Sequence, residues 1–492
     1  MFSDTFAVLS SIPFFFFGYP GLYILPALSL AVLGLICVRI SRPLLGPYAA
    51  VVVALAITLT SPILFYSVIF WEHLPATALV VLGVWQALEA HVNRDRRRAL
   101  IAGIGIGFAT WLRNESVLAA PALVGAILLT RRPNALSTAF WISIGVAISL
   151  LPLMIYNQIV FGAFVGPHVL VAGAANNAGG NFFVSRLDWA SRLIAPLDSS
   201  IFVGILIMLA LSTIVTMLRH TPEVITIGLT FVIVLSVFTA TLIRAMPGSG
   251  IQTNLLTTFP VILLCLLPVP LNRMNRMAER SDEPSILLMF GVGFILCAWL
   301  IRLPDGGAQW GPRMLLSAIP PLAIAGAWRA FYWLNRPAAR LAVAVITAIL
   351  LFAALLSQIE GLRNLRDSNV RNHALLTTVD QSHARIVICD TWYGPPLLAP
   401  IFYDGRLIFL IDDGHDLDYL IEQLEVAGLN TFYYLSRRSN TIAASSQRWQ
   451  DLTVIGESAN LPHRLTGQMY RIGRTTLSEP KGMTSFGSVV AP

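Results

Sequence analysis

Apolar residues do not alternate with polar ones over most of this chain; they run together in long blocks separated by short polar interruptions. A helix that crosses a bilayer needs about 20 predominantly apolar residues. Blocks near that length fall at 20–38, 47–66, 74–91, 137–157, 201–218, 222–244, 254–270, 284–301, 314–333 and 339–358. Two shorter blocks, 99–112 and 116–130, meet at Arg113-Asn114-Glu115 and read as a pair of helices that breaks at a membrane surface. Beyond Gln358 the pattern changes. Arg385–Cys389, Leu407–Ile411, Thr431–Leu435 and Leu452–Ile455 are short β-type runs, and Leu417–Val426 has helical period. Strand and helix alternate there, which predicts a small parallel α/β sheet. The expected architecture is mainly α: a polytopic transmembrane bundle of about 12 helices over 1–358, then an exoplasmic α/β domain over 359–480. A polar tail at 481–492 is expected to be disordered.

Composition agrees with this pattern. Of 492 residues, 56% are hydrophobic and 12% charged, about half the charge usual for a soluble domain. Lys481 is the one lysine among 33 basic residues. The net charge of +7 does not point to nucleic acid, because no basic run is interleaved with aromatics. The arginines sit instead in the gaps between apolar blocks. Fifteen of them (Arg39, Arg42, Arg94, Arg96–Arg98, Arg131, Arg132, Arg219, Arg273, Arg276, Arg280, Arg329, Arg336, Arg340) fall on one side, and six (Arg113, Arg186, Arg192, Arg244, Arg302, Arg313) on the other. By the positive-inside rule the richer side is cytoplasmic, and both termini are exoplasmic. The expected location is the cell (inner or plasma) membrane. Cys37, Cys265 and Cys297 lie in apolar blocks and Cys389 stands alone beyond them, so neither a disulfide nor a cysteine metal motif is expected.

The gap at 158–200 is long and begins rich in Gly and Asn. It ends in a stretch, Val184–Ile194, whose Leu187, Ala190 and Ile194 share one helical face. That stretch fits a helix lying in the membrane interface and equally one packed on the bundle.

Four sites carry possible chemistry. Glu72 and His73 follow Trp71 at the exoplasmic start of an apolar block. A carboxylate there can serve as general base or hold a divalent cation, with His73 assisting, or can simply complement a helix N-terminus. Arg113 stands at the break between the two short blocks. Its guanidinium suits a phosphate or pyrophosphate, and an internal pair with Glu115 is the structural alternative. Arg313 in Trp310-Gly311-Pro312-Arg313 is either a second exoplasmic cation or an interfacial anchor. Asp412-Asp413-Gly414-His415-Asp416 opens a helix and reads better as an N-cap than as a metal cluster.

In order along 20–330, the segments Ser61-Pro62 through Glu72-His73-Leu74-Pro75-Ala76, Gly103 through Trp111-Leu112-Arg113-Asn114-Glu115, Tyr156-Asn157 with Phe161-Gly162, and Trp310-Gly311-Pro312-Arg313-Met314-Leu315 resemble the GT-C superfamily of membrane glycosyltransferases. That group includes protein O-mannosyltransferases and aminoarabinose transferases. The resemblance implies transfer, with inversion, of a hexose or pentose from a polyprenyl-phosphate donor to an exoplasmic acceptor. It implies Glu72 as catalytic acid–base group and metal ligand, and Arg113 and Arg313 as partners of the donor phosphate. His73 and Glu115 would support them, and a divalent metal ion is often required. The superfamily's first helix and first acidic loop have no counterpart here. Asp4 is the one acid before Glu72 and is the second catalytic candidate. A further basic, apolar helix and acidic loop are therefore expected ahead of Met1. Two other readings stand beside this one: a transporter or flippase of lipid-linked solutes, against which the lack of internal duplication argues, and a non-catalytic membrane partner built on the same scaffold.

Overall fold

The computed structural model describes residues 4–130, 132–165, 186, 188–190, 193–194, 254–267, 269, 282–301, 310–391, 393–411, 413–437, 445–461 and 465–472. The expected helices at 201–218 and 222–244, most of the 158–200 gap and the polar tail lie outside the described residues. The chain divides into two compact units, 1–362 and 363–492.

The first unit is helical. It contains α1 (Asp4–Phe17), α2 (Ile24–Leu45), α3 (Pro47–Thr60), α4 (Pro62–Ser67), α5 (His73–Asn93), α6 (Arg96–Leu112), α7 (Ala119–Leu128), α8 (Ala135–Phe161), α9 (Glu283–Ile301) and α10 (Ile319–Leu334). The first part of α11 (Pro337–Gln381) completes it. Among the described residues six helices are long and apolar enough to cross a membrane, so the chain is multi-pass; a bundle of about 12 is not confirmed. Helix α1 falls on no expected block. Its 14 residues are apolar but short of a span. The block at 47–66 splits in two, because Ser61 leaves the helix at φ −114° and caps α4 by accepting from Ile63 N. The block at 254–270 is likewise not one helix: a turn at Leu255–Thr258 is followed by a 3₁₀ segment at Pro260–Leu266.

Small residues bring α6 and α8 together. A Cβ added at Gly103 would collide with the Ile142 carbonyl, and one at Gly145 with the Leu100 carbonyl. The backbones therefore touch, as Gly-x-x-x-Gly spacing (Gly103, Gly107) permits in lipid. Trp111 Nε1 adds a bond to Ser149 O at 2.8 Å. In the stretch 184–194 the described Trp189, Ala190 and Leu193 are buried, which favours packing on the bundle. The stretch is tied down at both ends. Arg186 donates to Leu300 O at 2.9 Å, satisfying the end of α9, and Leu256 N donates to Ile194 O at 2.9 Å.

The second unit holds a five-stranded sheet in the order β2-β1-β3-β5-β4, with β1 Ile386–Cys389, β2 Leu407–Leu410, β3 Thr431–Arg437, β4 Leu452–Leu461 and β5 Leu465–Ile472. Only half of it matches the all-parallel expectation. β1 pairs β2 and β3 in parallel, while β3–β5 and β4–β5 are antiparallel. The reason is connection length: only the residues 462–464 separate β4 from β5, too few for a crossover helix. Helix α12 (Gly394–Tyr403) joins β1 to β2, and α13 (Gly414–Val426) joins β2 to β3. Val387 and Cys389 pack with Leu398, Ile401, Leu375 and Val379 on one face, Ile386 and Ile388 with Leu417, Ile421 and Leu424 on the other. β1 is thus buried on both sides, which is why it reads as an unbroken apolar run.

Candidate active site

The site is assembled where α4, α5, the α6–α7 break and the segment before α10 meet. Gly311, at φ 71°, brings the backbone so close to Pro62 that a Cβ would sit 2.7 Å from the proline's own. Tyr66, fully buried, then donates its hydroxyl to Trp310 O at 2.9 Å. This fixes the Trp310-Gly311-Pro312-Arg313 segment against the Ser61–Tyr66 segment, joining two motifs about 250 residues apart. Tyr66 also stacks on Trp71 (centroids 6.0 Å) and meets His73 edge-on at 5.2 Å. Arg313 Cζ lies 5.6 Å from the Trp71 ring centroid, a cation–π contact.

Glu72 precedes α5 but makes no side-chain cap bond to that helix's amides. Its carboxylate turns away, and Oε1 accepts from Arg113 Nη1 at 2.7 Å. With the side chain only 4% exposed, the helix N-terminus alone does not account for it. Arg113 is shared. Its Nε donates to Glu115 Oε1 at 2.6 Å, and Nη2 reaches Met314 Sδ at 3.3 Å. The internal pair with Glu115 is therefore present, and a second pair joins it: the guanidinium stitches the helix break through Glu115 and holds Glu72 across from it. Among the buried polar atoms of the described residues that keep no hydrogen-bond partner are Glu72 Oε2, His73 Nε2 and Arg313 Nε. Such groups are costly to leave unpaired, and here they lie together around one aromatic cage.

Of the residues expected from sequence, Glu72, His73, Arg113, Glu115 and Arg313 are brought together. Asp4 opens α1, and its side chain is outside the described ones. Helix α1 does reach this end of the bundle, since Phe6 is buried in one cluster with Ala76 and Leu112 and its ring lies tilted against Phe70 at 4.8 Å between centroids. Tyr66 and Met314 were not singled out by sequence. The one signal for Tyr66 is an aromatic following Ser61-Pro62 just before the Trp71-Glu72-His73 run. Asp413 is an N-cap, accepting from Asp416 N at 2.8 Å.

A divalent ion at this site would find two donors among the described residues, Glu72 Oε2 and His73 Nε2, and such ions often complete their shell with waters and substrate phosphate oxygens. No group of three His, Cys, Asp or Glu side chains converges among the described residues.

No protein-family model and no curated protein sequence matches the chain. Solved structures do. An Archaeoglobus fulgidus oligosaccharyltransferase in complex with Zn and sulfate superposes with a TM-score of 0.52 at 14% identity, covering 91% of this chain and 61% of that one. ArnT from Cupriavidus metallidurans in the apo state gives 0.47 at 12% identity, covering 95% and 87%. The chain therefore spans about three-fifths of the length of the oligosaccharyltransferase. At these identities the likeness is one of fold: the chain shares the overall architecture of that oligosaccharyltransferase.

Proposed function

We propose that this protein transfers a sugar from a polyprenyl-phosphate donor to a hydroxyl-bearing acceptor on the exoplasmic side of the cell membrane, with inversion at the sugar's C1. The observation that carries this reading is the Glu72–Arg113 pair. It leaves one buried carboxylate oxygen unpartnered beside a second arginine that has no carboxylate of its own among the described residues.

The roles divide as follows. Glu72 Oε2 takes the acceptor hydroxyl's proton as its oxygen bonds to C1. The bond from C1 to the phosphate oxygen breaks, and its electron pair leaves on the lipid phosphate. Arg113 is engaged by two carboxylates, so its part is to keep Glu72 ionised and aimed. Arg313 is the better phosphate partner: it forms no ion pair among the described residues, the Trp71 ring lies against it, and its Nε is free to donate. A preorganised cation in a water-poor site stabilises developing negative charge far better than it would in bulk water. No step here requires a metal ion.

The test is donor turnover in proteoliposomes. The purified chain, given a panel of polyprenyl-phosphate pentoses and hexoses, should release free polyprenyl phosphate when an acceptor extract is added. Arg313→Gln should weaken donor binding about 10- to 100-fold, the scale of one charge-assisted hydrogen bond. Release that is equally fast in Arg313→Gln would remove Arg313 from the site, and no release from any donor would refute the activity.

A further inference from the structure

The bundle carries a second concavity that the transfer reaction does not use. An open cavity of about 440 Å³ is lined by Arg39, Arg42, Pro43, Pro47, Trp85 and Glu89. It lies at the far end of α5 from Glu72: Trp85 is 13 residues on, about 20 Å along the axis at 1.5 Å per residue. One wall is the last turn of α2 and the turn into α3, where Gly46 takes φ 84° and its N donates to Arg42 O at 3.0 Å. The other wall is the last part of α5.

Charge in this cavity is unbalanced in a way the sequence alone does not show. Glu89 is the acidic residue of the lining, and one of its carboxylate oxygens is engaged outside the lining. Its Oε2 accepts from Arg98 Nη1 at 2.8 Å and from Asn93 Nδ2 at 3.1 Å. Arg39 and Arg42 form no ion pair among the described residues, although they stand three apart on one helix and repel each other. Two arginines lining one cavity, neither ion-paired among the described residues, match a phosphate, which accepts from several N–H donors at once. The indole of Trp85 and the two proline rings supply apolar walls next to that charge. Such a mixed lining suits a group with a charged head and an apolar tail better than it suits a free anion. The cavity also lies on the arginine-rich side of the bundle, where anionic lipids are attracted.

We infer that this cavity is a binding site for the phosphate headgroup of an anionic membrane phospholipid. Arg39 and Arg42 would hold the phosphate oxygens and Trp85 the glycerol and first methylenes. The inference is independent of the transfer reaction, since none of these residues belongs to the Glu72 site.

The experiment is native mass spectrometry of the delipidated full chain titrated with phosphatidylglycerol or phosphatidylcholine. Phosphatidylglycerol should bind saturably and more tightly. Arg39→Gln with Arg42→Gln should raise its Kd at least tenfold. Arg96→Gln with Arg97→Gln, which removes the same charge from exposed positions nearby, should change it less than twofold. Trp85→Leu should weaken binding severalfold with all charges intact, and carries the test if the double variant fails to fold. Equal weakening by the two double variants would show diffuse attraction and overturn the site. Displacement of the lipid by millimolar inorganic phosphate would overturn the lipid assignment.

Discussion

Replacing Glu72 with Gln tests the catalytic reading most directly, because the structure supplies its own control. The side chain keeps its volume, so packing against the neighbouring rings is preserved. The charge is lost, and with it the charge-assisted bond from Arg113 Nη1 at 2.7 Å. An amide oxygen still accepts from that guanidinium, and Arg113 keeps Glu115, so the cost to stability should stay within about 1–3 kcal/mol. Turnover is affected differently. Glutamine cannot take a proton, and loss of a general base costs about 10²- to 10⁴-fold, or roughly 3–5 kcal/mol of barrier. Glu115→Gln makes the same chemical change to the other partner of the same arginine and removes no base. Release of polyprenyl phosphate by the two variants, each checked by thermal melting in the same detergent, separates the roles. Glu72→Gln should fall at least 100-fold and Glu115→Gln less than tenfold. If the two fall together, or if Glu72→Gln retains turnover, Glu72 is a structural partner of Arg113 and the assignment fails.

Gly103→Val should lower the melting temperature, because its side chain meets the Ile142 carbonyl and must part α6 from α8 at a cost of about 1–3 kcal/mol; Gly125→Ala, whose Cβ would meet nothing within 4 Å, should be neutral or stabilising. In the second unit burial raises the Asp418 pKa, but Ser446 Oγ and the backbone N–H groups of Arg448 and Gln447, with His415, together outweigh it and leave it below the ordinary 3.8. Its stabilisation is then complete above that value and lost as pH falls through the lowered pKa. Melting of the wild type relative to Asp418→Asn should therefore show a constant gap from neutral pH to about pH 5 that closes only below about pH 4. A reporter active only in the cytoplasm, fused after Gln358, should stay dark if the arginine-rich loops face the cytoplasm.

How far the sequence disclosed this protein depended on whether a feature was local. Span-length apolar blocks announce themselves because lipid demands that every backbone polar group be satisfied within the helix, and the described helices lie close to the expected blocks. The errors came where local signals conflict. Ser61-Pro62 sits inside a continuous apolar run, so hydropathy joins what a cap and a helix-starting proline divide. Residues 4–17 are apolar enough for a helix and too few for a span, so a search for spans passes over α1. The sheet's mixed topology rests on β5, whose Leu465-Thr466-Gly467-Gln468 start carries a glycine that β propensity disfavours. There the Gly467 backbone lies against the Tyr433 ring, where a Cβ would collide with the hydroxyl.

The site followed another rule. Glu72, Arg113 and Arg313 stood out because ionisable groups are expensive at the edge of an apolar block and are kept there for a reason. Expense, however, says nothing about which charge answers which. Two acids and two arginines admit several pairings, and the sequence allowed either arginine to serve the phosphate. The fold decides through Tyr66, an uncharged residue: by holding the Trp310 carbonyl it sets Arg313 over Trp71 and places Met314 against Arg113. Arg113 is thereby enclosed by Glu72, Glu115 and a thioether, whereas Arg313 keeps a buried donor unspent. The proposed division of labour between two identical side chains thus rests on packing, and the arginine with fewer partners is the one the proposal assigns to the phosphate.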